Sequence, residues 1–298
     1  MNKTSLDSED ILSDSLDMLY DHRPITFSAA GTPFAFMVDK CPIQHNHIPA
    51  CMHSVVISLQ TPDTYAAHWA LHASSIWVAS IYLANHLQEL HLEDHLINST
   101  PQSEKIQLLE LGASAGLPSI TIAKLFGDRL RDAARRIFIT TTDYPDDRLI
   151  RTLADNVAAN GVATLCRVVP YAWGSDVSPL LWRGAEGGFD VIIAADTIWN
   201  PDLHEILIDS LKNTLKKSPT SRVHLVVGLH TGRYTIQSFL DKVILAGFEL
   251  DGLCERESIG SGERKWEVSR NGEDEKERRK WIVWIQLKWN REALKVQI

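Results

Sequence analysis

Between residues 106 and 247 the chain alternates short apolar runs with longer amphipathic stretches. The short runs predict buried strands, and the stretches whose apolar residues recur every three or four positions predict helices. The predicted strands cover 106–111, 136–142, 166–170, 189–195 and 223–229, and the predicted helices cover 118–126, 147–160, 201–215 and 235–246. Repeated strand–helix units predict a mostly parallel sheet with helices on both faces.

Both ends of the chain depart from this alternation. Strand-like runs at 34–38 and 55–59 precede a stretch at 77–90 with helical spacing. After residue 248, two extended segments are joined by a charged turn instead of a helix, and the second, at 281–289, is long and alternating. This arrangement predicts an antiparallel strand at or near one edge of the sheet. We therefore expect a short N-terminal extension over 1–60 and one Rossmann-like α/β domain over 61–298.

Composition narrows the classes of protein that this chain can be. It has 298 residues, a formal net charge of −8 and no long run of Lys or Arg, which argues against binding to nucleic acid. Four cysteines in a chain of this length do not form a disulfide framework. Neither a signal peptide nor an apolar stretch of about 20 residues is visible. We expect a cytoplasmic monomer that binds no membrane.

The first candidate site is the turn that follows the strand at 106–111. Its sequence is Glu110-Leu-Gly-Ala-Ser-Ala-Gly-Leu-Pro118, in which five consecutive small residues let the backbone approach a ligand. A dinucleotide fingerprint would place glycines at 112, 114 and 117, but Ser114 and Leu117 stand at two of these positions. Because Ser114 is not glycine, we expect it to avoid a positive φ. A turn without any ligand is the simpler alternative.

Two further strand ends carry polar or aromatic residues. Asp143 follows the strand at 136–142 and could accept both hydroxyls of a ribose, or could serve only as a turn or N-cap residue. Asp196 and Trp199 follow the strand at 189–195, where a substrate would meet a cofactor. Asn200 is also well placed to cap the helix that begins at the next residue. His204 lies one turn into that helix and is expected to be exposed.

These motifs together resemble family 16 of the seven-β-strand methyltransferases. The resemblance rests on Glu110-Leu-Gly-Ala-x-x-Gly-Leu-Pro118, Thr142-Asp-Tyr-Pro145, Ala172-Trp-Gly174, Ala195-Asp196 and an upstream helix that begins at Trp77. It covers roughly residues 60 to 290. Within the family, Thr142-Asp-Tyr-Pro-Asp146 and the later Asp196-x-x-Trp-Asn200 are most similar to the fungal branch. Members of that branch are called nicotinamide N-methyltransferase-like or are assigned as methyltransferases of translation elongation factor 1-alpha.

The resemblance implies S-adenosyl-L-methionine as the cofactor and gives each matching residue a role. The methionine end of the cofactor would be lined by Gly112, Ala113 and Ser114, and Asp143 would hold the ribose. Trp173 would cover the adenine, and Ala195 would also contact the adenine. Trp77 would pack near the cofactor from the N-terminal helix. This chain departs from many relatives at Ser114 and at Trp199. The spacing between Trp69 and Trp77 is also wider than in the closest relatives, so either could face the cofactor.

A cluster of possible metal ligands competes with this interpretation. Five cysteines and histidines fall within thirteen positions, namely Cys41, His45, His47, Cys51 and His53. Their spacing is not that of a common zinc module. We therefore expect no metal, which agrees with the family.

Three functions fit the predicted cofactor site. The first is a protein N-methyltransferase that acts on a lysine or an N-terminal amine, with elongation factor 1-alpha as the implied partner. The second is a small-molecule N-methyltransferase for nicotinamide or a similar ring, and the third is a cofactor-binding protein without catalysis. For an enzyme, Asp196, Trp199 and Asn200 are the residues expected to handle the substrate, with no assigned general base. The first function is favoured because its relatives share the segments around Asp143 and Asn200.

Overall fold

The computed structural model describes residues 26–38, 55–97, 105–127, 136–181, 185 and 187–295. Within these residues the strands form two sheets. A small antiparallel pair consists of β1 (Pro33–Val38) and β2 (Val55–Gln60). The large sheet contains β3 (Lys105–Leu111), β4 (Arg136–Asp143), β5 (Cys166–Pro170), β6 (Val191–Ala195), β7 (Arg222–Gly228), β8 (Phe248–Glu257), β9 (Glu263–Lys265) and β10 (Trp281–Trp289).

The described helices lie mostly between these strands. They are α1 (Val78–Asn85), α2 (Leu92–Ile97), α3 (Leu117–Gly127), α4 (Asp147–Ala159), α5 (His204–Thr214), α6 (Arg233–Leu245), α7 (Glu275–Arg278) and α8 (Arg291–Lys295). Short 3₁₀ turns occur at Ala66–Leu71, Leu87–Leu90, Pro201–Leu203 and Leu229–Thr231. None of the described helices is both long enough and apolar enough to cross a membrane.

The large sheet has the strand order β5-β4-β3-β6-β7-β10-β8-β9. Strands β3 to β7 pair in parallel, and the order reverses between β3 and β6, which makes this the switch point where such folds bind ligands. The predicted Rossmann-like α/β fold is confirmed. The antiparallel strand is β10, and it lies inside the sheet between β7 and β8. Six of its nine residues are buried, with members on both faces, which suits an interior strand.

Two apolar layers cover the faces of the sheet. Alternate residues of β3 point to opposite layers, so that Leu108 packs with one cluster and Leu109 with the other. The first cluster includes side chains of α1 and α3, such as Leu83 and Ile120. The second includes side chains of α5 and α6, such as Phe239. This two-sided burial fixes the carboxyl ends of the strands relative to the helices that follow them.

Most predicted elements are present, with differences at particular ends. The helix predicted over 77–90 ends at Asn85 and continues as the 3₁₀ turn Leu87–Leu90. The strand predicted from 189 begins at Val191, and the helix predicted from 201 starts as a 3₁₀ turn. Between β8 and β10 the chain forms the short elements β9 and α7, which the sequence did not indicate.

The β1–β2 pair is attached to the main domain through Asn156 of helix α4 and Asn160, which caps the C-terminal end of this helix. Asn156 accepts a hydrogen bond from the Gln60 N–H at 2.8 Å and donates to the Gln60 carbonyl at 2.8 Å. Asn160 makes the same two contacts with Ser58, at 3.2 and 2.7 Å. Because each amide satisfies both backbone groups of a strand residue, these contacts occupy the open edge of β2.

Candidate active site

A cavity of about 320 Å³ opens at the carboxyl ends of β3, β4 and β6. Eight of the ten residues predicted for the site line it: Trp77, Gly112, Ser114, Asp143, Trp173, Ala195, Asp196 and Trp199. The lining also contains residues that the sequence did not single out, including His72, Tyr144, Tyr171, Thr197, Leu203 and Ile206. Ala113 and Asn200 are not among the lining residues.

The glycine turn reaches the cavity in a conformation that only small residues allow. Gly112 has a φ of +70°, and a Cβ at this position would lie 2.9 Å from Thr197 Cγ2 and 3.4 Å from Trp173. Ala113 is buried, and its N–H donates to the Thr142 carbonyl, which ties the turn to the end of β4. The missing side chain at Gly112 therefore lets Thr197 and Trp173 pack closely against the turn at the cavity wall.

Ser114 contradicts the expectation that a residue other than glycine would avoid a positive φ. Its φ is +50°. Two hydrogen bonds hold it there, since its N–H donates to Asp143 Oδ2 at 2.6 Å and its hydroxyl donates to the Ala73 carbonyl at 2.5 Å. These contacts offset the cost of the left-handed conformation. They also attach the segment 61–77, which we call the strap, to the glycine turn.

Asp143 is the acidic residue at the end of β4, and it is only 7% exposed. Its Oδ1 accepts a hydrogen bond from the Tyr144 N–H at 2.7 Å, in addition to the bond from Ser114. Burial raises the pKa of this carboxyl to about 6. Asp146, not Asp143, caps helix α4 through the Arg148 and Leu149 N–H groups. The carboxyl of Asp143 thus faces the cavity and organises the turn around it.

Asp196 follows β6 in a left-handed conformation, with a φ of +52°. Its Oδ1 accepts a hydrogen bond from the Gly228 N–H at 2.6 Å, and its Oδ2 accepts one from the Ala79 N–H at 3.4 Å. Burial raises the pKa of this carboxyl. The side chain therefore links the ends of β6 and β7 to the first turn of α1, while still lining the cavity.

Aromatic rings form the wall of the cavity next to Asp196. Trp77 lines the cavity, whereas Trp69 is 64% exposed and does not. Trp199 packs against the ring of His72, with ring centroids 5.0 Å apart. His72 belongs to the strap just after the 3₁₀ turn, where its surroundings depend on contacts distant in sequence. No local pattern could have identified it.

Asn200 and His204 both serve the start of helix α5. Asn200 Oδ1 accepts a hydrogen bond from the Asp202 N–H at 3.0 Å, which is the capping role considered for it. His204 was expected to be exposed, and this is wrong because its side chain is fully buried. Its Nε2–H donates to the Ile198 carbonyl at 2.9 Å, just before Trp199. The capped turn therefore fixes the backbone that carries Trp199.

The possible metal ligands at 41–53 lie outside the described residues. Among the residues that are described, no group of three or more His, Cys, Asp or Glu side chains could hold a metal ion.

Comparison with known proteins decides the family. A family model described as lysine methyltransferase matches residues 68–244, which include the later part of the strap, the glycine turn and both acidic strand ends. The chain belongs to this family. The methyltransferase uses S-adenosylmethionine as its cofactor and acts as an N-methyltransferase. The resemblance found from the ordered motifs is confirmed.

Several fungal proteins are similar to this methyltransferase along part of its length. The protein N-terminal and lysine N-methyltransferase efm7 of Schizosaccharomyces pombe is 30% identical over 192 residues, which cover 62% of this chain and 68% of that protein. The enzyme of the same name from Neurospora crassa is 30% identical over 53% of this chain and 54% of its own length. That from Candida glabrata is 32% identical over 47% and 49%. The chain thus spans about half to two thirds of these relatives.

The residues around the cavity fit the cofactor. Gly112 and Ser114 provide a turn without bulky side chains, Asp143 presents a buried acceptor, and the remaining wall is largely aromatic or apolar. These are the features that a nucleoside with a short charged tail requires: hydroxyl acceptors, a flat apolar surface and close approach of backbone N–H groups.

Proposed function

We propose that this methyltransferase transfers methyl groups to amines of a protein, either a lysine side chain or an N-terminal amine. The observation that supports this most directly is the single cavity. It joins the glycine turn and Asp143 on one side to Asp196, Trp77 and Trp199 on the other. One side suits a nucleoside cofactor, and the other suits an amine. The printed names of the fungal relatives describe the same two kinds of target.

The cofactor would lie along the carboxyl ends of β3 and β4. Gly112 and Ser114 would contact its methionine end, with Ala113 shaping the turn from behind. Asp143 would accept hydrogen bonds from the ribose hydroxyls, because its lone pairs are not all used by the two backbone N–H groups. Trp173 and Ala195 would contact the adenine, and Trp77 would pack near the reacting end.

The chemistry requires a neutral amine that is aligned with the methyl group. When bound, the cofactor supplies an activated methyl group, so the protein mainly has to position and desolvate the nucleophile. A free lysine has a pKa of about 10.4, and an apolar entrance lowers it. Trp199 would provide this entrance, and a carboxyl oxygen of Asp196 would accept an N–H of the amine and orient its lone pair. Asn200 would act through the position of Trp199.

The proposal also covers the protein substrate, the cellular compartment and the oligomeric state. We propose elongation factor 1-alpha as the protein substrate because the motifs around Asp143 and Asn200 resemble the fungal branch assigned to it. The net charge of −8 suits a basic partner. We also propose that the enzyme works as a cytoplasmic monomer. Cys166 and Cys254, the described cysteines, are free, as a reducing compartment would keep them.

A labelling experiment tests the proposal. The purified chain is incubated with tritiated S-adenosylmethionine and a cell lysate, and the label is followed in proteins and in small metabolites. We expect label in one protein band that co-migrates with elongation factor 1-alpha. Label found only in small metabolites would support the nicotinamide-type function instead. Absence of label in both fractions, with normal cofactor binding, would support a protein without catalysis.

A further inference from the structure

Three aromatic rings meet at the substrate side of the cavity. The ring of His72 lies 5.0 Å from that of Trp199 at an interplanar angle of 79°, and 6.2 Å from that of Trp77 at 89°. All three residues line the cavity. We call them the aromatic corner. His72 stands nearly perpendicular to both indoles and contacts each of them, so the three rings form one connected aromatic part of the cavity wall.

The corner is held in place without any ligand. The Trp77 Nε1–H donates to the His72 carbonyl at 2.9 Å, and the Trp77 ring stacks on His230 with centroids 5.3 Å apart and planes 18° from parallel. The His72 N–H donates to the Trp69 carbonyl at 3.0 Å, which ends the 3₁₀ turn. His72 itself has a φ of +52°. These contacts fix both rings before a substrate arrives.

The cavity wall next to Asp196 is largely apolar, although the buried Thr197 hydroxyl has no partner among the described residues. Each carboxyl oxygen of Asp196 already accepts one backbone N–H group, which leaves one lone pair on each oxygen for an amine. The Trp77 indole N–H is used by the strap. Within the described part of the chain, the ring nitrogens of His72 take part in no hydrogen bond, and no carboxylate orients this ring as a general base would need. Apart from the ring nitrogens of His72, the aromatic corner therefore offers ring surface to a ligand.

We propose that the aromatic corner binds the methylated form of the substrate amine, so that His72 determines how readily methylation continues beyond the first transfer. This inference rests on the proposed function. Each transfer replaces an N–H of the amine with a methyl group, and so removes a hydrogen bond that Asp196 could accept. A methylated ammonium is less hydrated than a primary one and presents positively charged C–H surface to aromatic rings. Contacts with the rings of the aromatic corner therefore replace the hydrogen bonds that methylation removes.

The second methyl transfer follows the same chemical steps as the first. The methylated ammonium first releases a proton to water. The lone pair of its nitrogen then forms a bond to the methyl carbon as the bond between that carbon and sulfur breaks. The electrons of the broken bond stay on sulfur, which leaves S-adenosylhomocysteine and a more highly methylated ammonium. His72 takes no proton in either transfer.

A binding series tests the corner independently of turnover. The protein saturated with S-adenosylhomocysteine is titrated with n-butylamine and with its N-methyl, N,N-dimethyl and N,N,N-trimethyl derivatives at one pH. We expect affinity to rise along the series by about 3- to 10-fold in total, the scale of a partly exposed cation–π site. His72→Asn should remove most of this increase, since Asn tolerates the left-handed backbone but lacks a ring. His72→Phe should retain it.

A matched control is His91→Asn. His91 also has a left-handed backbone, with a φ of +47°, but it lines a different cavity. His91→Asn should show the same rise in affinity along the amine series as wild type does. A wild-type series without any increase, or an increase that His72→Asn leaves intact, would overturn the proposal. Failure to methylate any protein would overturn the proposed function and leave the binding series unchanged, so the two failures can be distinguished.

Product analysis separates the corner from two other roles of His72. On a peptide with one amine, the ratio of second to first transfer should fall about 3- to 10-fold in His72→Asn and stay near wild type in His72→Phe. If His72→Phe loses the first transfer as well, His72 is a proton acceptor and the proposal is wrong. If His72→Asn weakens the binding of S-adenosylmethionine but not that of S-adenosylhomocysteine, the aromatic corner holds the sulfonium group. That result would also overturn the proposal.

Discussion

Two buried carboxyl groups, Asp143 and Asp196, organise the candidate site at the scale of single residues. Each is 7% exposed, accepts two backbone N–H groups and has a raised pKa because of burial. A buried carboxyl group stabilises a turn only when it accepts hydrogen bonds from the backbone N–H groups of that turn. The conformation of each turn and the position of its carboxyl group therefore depend on each other. The acidic positions were predictable from the strand ends, but their hydrogen-bond partners were not.

Asp143→Asn should weaken the binding of S-adenosylhomocysteine by about 1.5–3 kcal/mol, the scale of a hydrogen bond to a charged acceptor. The variant keeps the shape of the side chain but loses the negative charge and one acceptor. Isothermal titration calorimetry measures the change. Asp147→Asn, at an exposed position nearby, should bind as wild type does. Unchanged affinity in Asp143→Asn would place the ribose elsewhere.

The affinity for S-adenosylhomocysteine should also depend on pH. Burial raises the pKa of Asp143 to about 6 in the free protein, and ribose hydroxyls bind better to the ionised carboxyl. Below pH 6, binding must therefore first remove a proton, and affinity should fall about tenfold between pH 7 and pH 5. Calorimetry across this pH range tests whether the affinity falls on acidification. Asp143→Asn should show a much flatter dependence, and an affinity that rises on acidification would contradict the account.

Ser114 combines an unfavourable backbone with favourable hydrogen bonds. Ser114→Ala keeps the left-handed backbone and loses the hydroxyl bond to Ala73, so the free energy of unfolding should fall by about 1 kcal/mol. Ser114→Gly loses the same bond but relieves a backbone cost of about 1–2 kcal/mol, so its stability should stay near that of wild type. Urea unfolding compares the two. A glycine variant less stable than the alanine variant would contradict this.

At the scale of elements, the start of helix α5 positions the substrate side of the cavity. Asn200 caps the turn, and His204 binds the Ile198 carbonyl on the other side of Trp199. The motif Asn200-Pro201 was readable as a cap in the sequence. The buried contact of His204 was not, because a histidine one turn into a helix gives no local sign of which face is covered.

Asn200→Ser should leave both stability and methyl transfer close to wild type, since Ser caps about as well as Asn. Asn200→Ala should lower the free energy of unfolding by about 1 kcal/mol. Thermal unfolding and turnover are measured on the same samples. If Asn200→Ser keeps its melting temperature and cofactor affinity but loses turnover, the amide itself contacts the substrate.

Strands and helices of the central units follow from their sequence periods, and their bounds shift by only a few residues. The strand β10 shows the limit of this reasoning. Its polar turn and alternating pattern indicate an antiparallel strand, but they do not indicate which neighbours it has. Its position depends on backbone pairing with both β7 and β8, which lie earlier in the chain. The elements β9 and α7 are three and four residues long and carry no period.

At the scale of the whole molecule, the cavity is assembled from separate parts of the chain. The strap supplies His72, β3 supplies the glycine turn, β4 supplies Asp143, and β6 supplies Asp196 and Trp199. Ordered motifs predicted the last three because parallel strands end on one side of a sheet. Of the strap, only Trp77 was predicted for the site, because the position of the other strap residues depends on long-range contacts such as that between Ser114 and Ala73.

A buried charged cluster joins the elements that follow β7. Arg233 is 6% exposed, and its guanidinium donates to the carboxylates of Glu255 and Glu273. Arg264 binds the same two carboxylates. The cluster joins α6 to β8, β9 and the segment before α7. The 3₁₀ turn Leu229–Thr231, which carries His230 behind Trp77, immediately precedes α6. The sequence shows these charges, but not that they meet in a buried network.

The central claim is that this cavity is where methyl transfer to a protein occurs. Intact mass spectrometry of purified elongation factor 1-alpha, incubated with S-adenosylmethionine and the enzyme, tests it most directly. We expect wild type and Trp69→Ala to add methyl groups, because Trp69 is exposed and outside the cavity. Trp199→Ala should add them much more slowly while binding S-adenosylhomocysteine within a few-fold of wild type. Methyl addition by Trp199→Ala at the wild-type rate, or none by wild type, would contradict the account.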